Sequence, residues 1–180
     1  RWRNLYIMDI MTKMIQNYLD YLHYQKNYSQ LTISSYHHEI LQFKEYMVSE
    51  GLHDFNDVSY MFLRGFLLKL HEQGLSHATI NHKLTSLRSF YRYLQKEELV
   101  KDNPFLLIES LKTPQKNPDF LYVDEMIALL DSIETKTPLG RRNKAMLELM
   151  YASGLRCSEV VHLTLQQIDF KQQILLIHGK

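Results

Sequence analysis

Through roughly the first hundred positions, apolar residues recur three and four apart, the period of a helix that buries one face. Met14, Tyr18, Tyr21 and Leu22 predict a helix running to about His23, broken at Asn27-Tyr28-Ser29. Tyr36, Ile40, Phe43 and Met47 share one face of a second helix, about Thr32 to Ser49, and Gly51 follows where a C-cap glycine belongs. Asp57 or Ser59 starts a third helix with Phe62, Phe66, Leu67 and Leu70 inward, closed by Gly74. Ser76 is the expected N-cap of a fourth, whose apolar stripe is Ile80, Leu84, Leu87, Tyr91 and Leu94. An adjacent face carries Thr85, Arg88, Arg92 and Lys96, and no Asp or Glu occurs between Ser76 and Lys96. Solvated helix faces usually mix charge signs, so this one is unusual.

Asn103-Pro104 ends the helical half. Lys112-Thr-Pro114-Gln-Lys116-Asn-Pro118-Asp119 reads as a linker, with two prolines, two lysines and no core residue. Asp124 is expected to cap a helix reaching about Ile133. Arg141 to Ala152 forms another, with Ala145, Leu149 and Ala152 inward, ended by Ser153-Gly154. A short helix fits Glu159 to Leu163, and residues 167–170 and 173–177 read as two strands around a polar turn. The division is therefore 1–13 as an unassigned extension, 14–111 as a helical domain, 112–119 as linker and 120–180 as the start of a second domain.

Composition narrows the class. Hydrophobic residues make up 45% and charged residues 23%, an ordinary globular balance. No apolar run approaches the roughly 20 residues of a membrane span, and no signal peptide is legible, so neither a membrane nor a secreted setting is expected. The single cysteine, Cys157, excludes an internal disulfide and points to the cytoplasm. Net charge is +1, so a nucleic-acid partner must be argued from local distribution. The chain starts at Arg1 without methionine and stops at Lys180 just after a strand-like run; a fragment is expected.

The ordered set of motifs resembles the tyrosine recombinase (phage integrase) family, and Xer-type dimer-resolution recombinases within it. The first domain carries Tyr28-Ser29-x-x-Thr32-x-x-x-Tyr36, Thr79-Ile80-x-x-Lys83-Leu84-x-x-Leu87-Arg88-x-Phe90-Tyr91 and Asn103-Pro104. The second carries Tyr151-x-x-Gly154-Leu155-Arg156-x-Ser158-Glu159, Leu163-x-x-x-x-Ile168-Asp169 and Ile177-His178-Gly179-Lys180. The resemblance implies a mainly α fold. A four-helix, SAM-like core-binding domain is followed by the first part of an α+β catalytic domain with a short β-hairpin. It also implies double-stranded DNA as partner, and a recombinase tetramer, possibly of two related recombinases, on two DNA sites. A tyrosine attacks a backbone phosphate to form a 3′-phosphotyrosine, with no metal, other cofactor or small-molecule substrate.

On that resemblance Arg156 matches the first catalytic arginine and Lys180 the catalytic lysine of the hairpin. A guanidinium suits the charge that builds on phosphate oxygens during in-line attack. Placed after Gly154 near a helix start, Arg156 also brings backbone N–H groups toward an anion. The competing reading of Arg156 is a surface arginine, or an ion pair with Glu159 one turn on. Glu159 reads as support for Arg156 or as a cap on the short helix. Thr79, Asn81, Lys83, Thr85, Arg88, Arg92 and Lys96 are the DNA-facing candidates, the cations for phosphates and Thr or Asn for base edges. Lys112 and Lys116 follow the backbone or simply solubilise the linker.

Other tempting residues read as structural. The nine histidines show no paired metal spacing. Tyr151 reads as packing and Cys157 as a small buried side chain. The family's His-x-x-Arg motif, its later His or Trp and its tyrosine nucleophile are not among these 180 residues, so DNA binding without strand cleavage is expected of the chain alone. Its expected role is Xer-type resolution of chromosome dimers at cell division. The alternatives are a mobile-element integrase, or a non-catalytic DNA-binding or helical interaction fragment.

Overall fold

The computed structural model describes residues 2–114 and 117–177. The chain divides into two units, Arg1–Gln115 and Lys116–Lys180.

The first unit is built of four helices. Helix α1 spans Trp2–Asp20 and continues into a π-helical turn, Tyr21–Gln25. It begins well before Met14, so the stretch read as an unassigned extension is helical, and Met11 within it is buried in the core. Helices α2 (Gln30–Ser49), α3 (Tyr60–Glu72) and α4 (His77–Lys96) follow. Each starts at a serine in extended backbone, Ser29, Ser59 and Ser76. The hydroxyl of each accepts the N–H three residues on, at 3.3, 3.2 and 3.2 Å. Such caps stabilise a helix by about 1 kcal/mol each. Past the ends of α2 and α3 the chain turns through Gly51 and Gly74 at φ +80° and +73°, a conformation that glycine adopts without steric cost.

Helix α4 is the hub, packing against α1, α2 and the 3-10 turn Pro104–Leu107. Its predicted stripe, Ile80, Leu84, Leu87, Tyr91 and Leu94, is fully buried. Phe43 of α2 joins the layers, with ring-centroid distances of 5.0 Å to Phe66 and 5.3 Å to Phe105. Two buried tyrosines keep their hydroxyls bonded: Tyr18 donates to Ser89 Oγ at 2.8 Å and Tyr91 to the Phe55 carbonyl at 3.1 Å. Burial is the main reason both hydroxyls are held above the usual tyrosine pKa.

The second unit has helices α5 (Val123–Asp131), α6 (Pro138–Ser153) and α7 (Cys157–Val161), then a hairpin of β1 (Ile168–Asp169) and β2 (Ile174–Leu175). The strands are antiparallel, with Ile168 opposite Leu175 and Asp169 opposite Ile174. The cap of α5 is Tyr122 rather than Asp124. The Glu125 carboxylate reaches back to the Tyr122 N–H at 2.8 Å, leaving Asp124 inside the first turn, where the helix dipole favours it. Thr137 caps α6, with Pro138 at its first position. Val160 is the one buried residue of this unit among the described residues. Ala145, Ala152, Tyr151 and Cys157, all expected inside, are exposed, and Leu149 is half-buried.

Candidate nucleic-acid interface

Seven residues of α4 carry the sequence-based reading, and the structure sorts them by what each already touches. Lys83 is buried, pairing with Glu39 of α2 and donating to Gln42 Oε1. The amide nitrogen of the same side chain, Gln42 Nε2, lies 3.0 Å from His38 Nε2. Lys83 therefore serves the α2–α4 junction and has no free face for a phosphate. The sequence reading missed Glu39 and Gln42, although their spacing of three residues puts both on one side of α2.

Arg88 points along the chain that follows α4. Its Nε donates to the Phe105 carbonyl at 3.1 Å, its Nη2 to the Ile108 carbonyl, and its Nη1 to Ser110 Oγ at 3.4 Å. Asn81 makes two bonds to one residue: Nδ2 donates to the Leu111 carbonyl and Oδ1 accepts the Leu111 N–H, each at 2.8 Å. Thr79 shares its hydroxyl with Ser76 at 2.9 Å, and Thr85 donates to the Asn81 carbonyl at 2.9 Å. Both threonines remain exposed.

Arg92 is different. It is exposed, and no hydrogen bond or ion pair engages it among the described residues. Lys96, one turn on, is 61% exposed, with Glu97 at 3.9 Å and the Tyr21 ring centroid at 5.3 Å. The ion pair is loose and solvent-screened, worth little. Thr85, Arg92 and Lys96 thus form an exposed strip along a helix that contains no acidic residue. Such a strip supplies donors and positive charge to a polyanion.

In the second unit Gly154 ends α6 in the left-handed region (φ +67°), its N–H bonded to the Met150 carbonyl. The chain then turns through Leu155 into Arg156, the residue that precedes α7. The guanidinium meets Glu159 Oε1 at 2.7 Å, and the Arg156 N–H donates to Glu159 Oε2 at 2.8 Å. One carboxylate therefore holds Arg156 by backbone and side chain while the arginine side chain stays 81% exposed. Those bonds, the backbone one first, hold the Glu159 carboxyl below its usual pKa. They also take up the Arg156 N–H, so that amide is not open to an anion. Lys180 and Lys116 lie outside the described residues; Lys112 is exposed. No group of three or more His, Cys, Asp or Glu among the described residues is placed to hold a metal. No helix among them is long and apolar enough to cross a membrane.

This helical unit, followed by a Gly-Leu-Arg turn and a hairpin, belongs to the phage integrase family, the tyrosine recombinases: residues 15–98 match the phage integrase N-terminal SAM-like domain and residues 119–180 the phage integrase family. Among curated relatives, the chain is 42% identical over 168 residues to tyrosine recombinase XerC of Bacillus pumilus (strain SAFR-032), covering 93% of this chain and 55% of the relative. It is 37% identical over 173 residues to tyrosine recombinase XerC of Bacillus subtilis (strain 168), covering 96% and 57%. The chain spans little more than half the length of these relatives. The fold is shared with the Tn1549 transposon integrase, solved in complex with circular intermediate DNA, at TM-score 0.69 and 19% identity over 92% of this chain and 53% of that one. It is also shared with a lambda integrase dimer bound to a COC′ core site, at TM-score 0.66 and 16% identity over 93% and 47%.

Proposed function

We propose that the whole protein is a site-specific DNA recombinase of the Xer type, acting in the cytoplasm, and that the first unit holds double-stranded DNA through the exposed strip of α4. The observation that carries this is Arg92, an exposed guanidinium with no partner among the described residues, flanked by Thr85 and Lys96 on an acid-free helix. Arg92 and Lys96 neutralise backbone phosphates, which fixes position without reading sequence. The relatives named XerC favour the dimer-resolution role over that of a mobile-element integrase.

Arg156 is the phosphate clamp of the second unit. Its exposed guanidinium, steadied by Glu159, offers paired N–H donors to the non-bridging oxygens of a phosphodiester. The reaction of the whole protein is transesterification. A tyrosine oxygen bonds to phosphorus as the 5′-oxygen leaves with a proton, which Lys180 is suited to give. The 5′-hydroxyl of a partner strand then attacks the 3′-phosphotyrosine and releases the tyrosine. Bond energy is kept throughout, so the chemistry asks for no metal or nucleotide. Four such protomers on two duplexes complete the exchange. These 180 residues by themselves hold DNA and do not cut it.

Binding of a labelled duplex to the 180-residue chain, measured across a salt series, tests the reading. Arg92→Gln is expected to weaken binding to every sequence alike and to lower the slope of log K against log salt by about 0.9. An unchanged slope removes Arg92 from the interface. A covalent adduct between this chain and a nicked suicide substrate overturns the assignment of binding without cleavage.

A further inference from the structure

Helix α4 has a second polar row that the proposed DNA contact does not use. His77, Asn81 and Arg88 lie on one face, four and seven residues apart, and all three bind the backbone or side chains of residues 105–112. His77 Nδ1 lies 2.8 Å from the Lys112 carbonyl; a carbonyl only accepts, so Nδ1 carries the proton. In return Asn103 Nδ2 donates to the Arg88 carbonyl at 3.3 Å.

Residues 108–112 belong to no helix or strand, so their backbone groups need other partners. The side chains of α4 supply them: Arg88 for Ile108 O, Asn81 for both groups of Leu111, and His77 for Lys112 O. The order is antiparallel to the helix, since later residues of the segment meet earlier residues of α4. The chain leaves α4 at Lys96 and is carried back along it by about 16 Å, the rise from His77 to Arg88. Among the described residues, Lys112 is the last of this segment that an α4 side chain holds by a hydrogen bond.

We infer that His77, Asn81 and Arg88 are a linker latch: positioning residues that fix where the tether to the second unit begins, rather than contacts to DNA. Release of the latch adds residues 109–112 to the tether, up to about 14 Å of extended chain, while Ile108 stays buried in the core. Where the first unit holds DNA, as proposed above, the latch limits how far along the duplex the Arg156 unit reaches; that consequence rests on the DNA-binding reading, whereas the latch itself does not.

Amide exchange on the 180-residue chain tests it directly. Asn81→Ala is expected to speed exchange at Leu111 about tenfold while the amides of residues 84–94 stay protected. Arg88→Lys keeps the charge but loses the planar fork, and is expected to loosen residues 106–111. If Asn81→Ala unfolds the first unit, His77→Ala, at an exposed position, carries the readout at Leu111. Unchanged exchange in the folded variants overturns the latch. A duplex-binding arm separates the roles. Arg88→Gln is expected to leave the salt slope unchanged, and a slope lower by about 0.9 with exchange unaltered makes Arg88 a phosphate contact instead. If the unaltered chain binds no duplex, the DNA reading fails and the exchange result alone decides the latch.

Discussion

Lys83 of α4 and Glu39 of α2 form an ion pair with only 8% and 13% of their side chains exposed. Removing one partner leaves the other charge poorly solvated between two packed helices. Lys83→Met is expected to destabilise the first unit by about 2–3 kcal/mol, at the low end for a buried pair because Glu39 keeps some water. Adding Glu39→Leu to Lys83→Met is expected to recover most of that loss. Urea unfolding of both variants and of the parent measures the coupling.

The buried tyrosines set an alkaline limit. Tyr18 and Tyr91 are held neutral in the fold well above the ordinary value of about 10, mainly by burial. Their contribution is complete below that value and is lost as pH rises past it, because the unfolded chain then sheds protons that the native one keeps. Two such groups give a decline of about 2.7 kcal/mol per pH unit. Tyr18→Phe, which also loses the bond to Ser89, is expected to cost about 1 kcal/mol at neutral pH and to lower the alkaline slope by about 1.4 kcal/mol per pH unit. Unfolding followed from pH 8 upward checks both.

Glu159 titrates in the opposite sense. Its carboxyl is lowered by the Arg156 N–H first and the guanidinium second. Whatever it lends the start of α7 is present above the ordinary carboxylate pKa and fades as pH falls through the depressed one. In Arg156→Gln the side-chain interaction with a cation goes while the backbone bond stays. The carboxyl is then expected to move part of the way back up. Carbon-detected NMR of the carboxyl reads the change.

The two units are expected to unfold separately. The first has a core of aromatic and aliphatic residues, while the second buries Val160 alone among its described residues. Large apolar side chains such as Phe120, Leu165 and Phe170 are more than 70% exposed there. Amides of residues 123–177 are expected to exchange far faster than those of α4. Helicity and tyrosine fluorescence in urea should give non-coincident transitions; a single coincident transition contradicts this.

The helices of the first unit were legible because a 3.6-residue stripe, with Ser76 as a cap, agrees with the packing that it produces; the cap at Ser29, and Ser59 rather than Asp57 as the cap of α3, came from the structure. The polar face of α4 was legible only as a class. Arg88 and Arg92 are both arginines on that face, yet one is bound by carbonyls and the other is open to solvent. Two of the three partners of Arg88 are backbone carbonyls some twenty residues later, and backbone acceptors leave no mark in a sequence. Lys83 was misplaced for a related reason: whether an i+4 cation meets water or a neighbouring helix depends on crossing geometry, which periodicity does not encode. In the second unit, apolar spacing named faces that remain exposed, since a stripe tells which side is apolar and not what covers it. The Gly154 turn was readable from residue type alone, because its φ of +67° is one that side-chain-bearing residues rarely adopt.

Phe105 sits at the far end of the first unit's sequence and at the centre of its core, against Phe43 and Tyr91. During synthesis, therefore, all four helices emerge before the ring that completes their packing. Until Phe105 clears the ribosome, the ring that packs against Phe43 and Tyr91 is missing from the core. Phe105 and Ile108 thus close the core of the unit, and a ribosome stalled before them holds four helices that lack their last core residues.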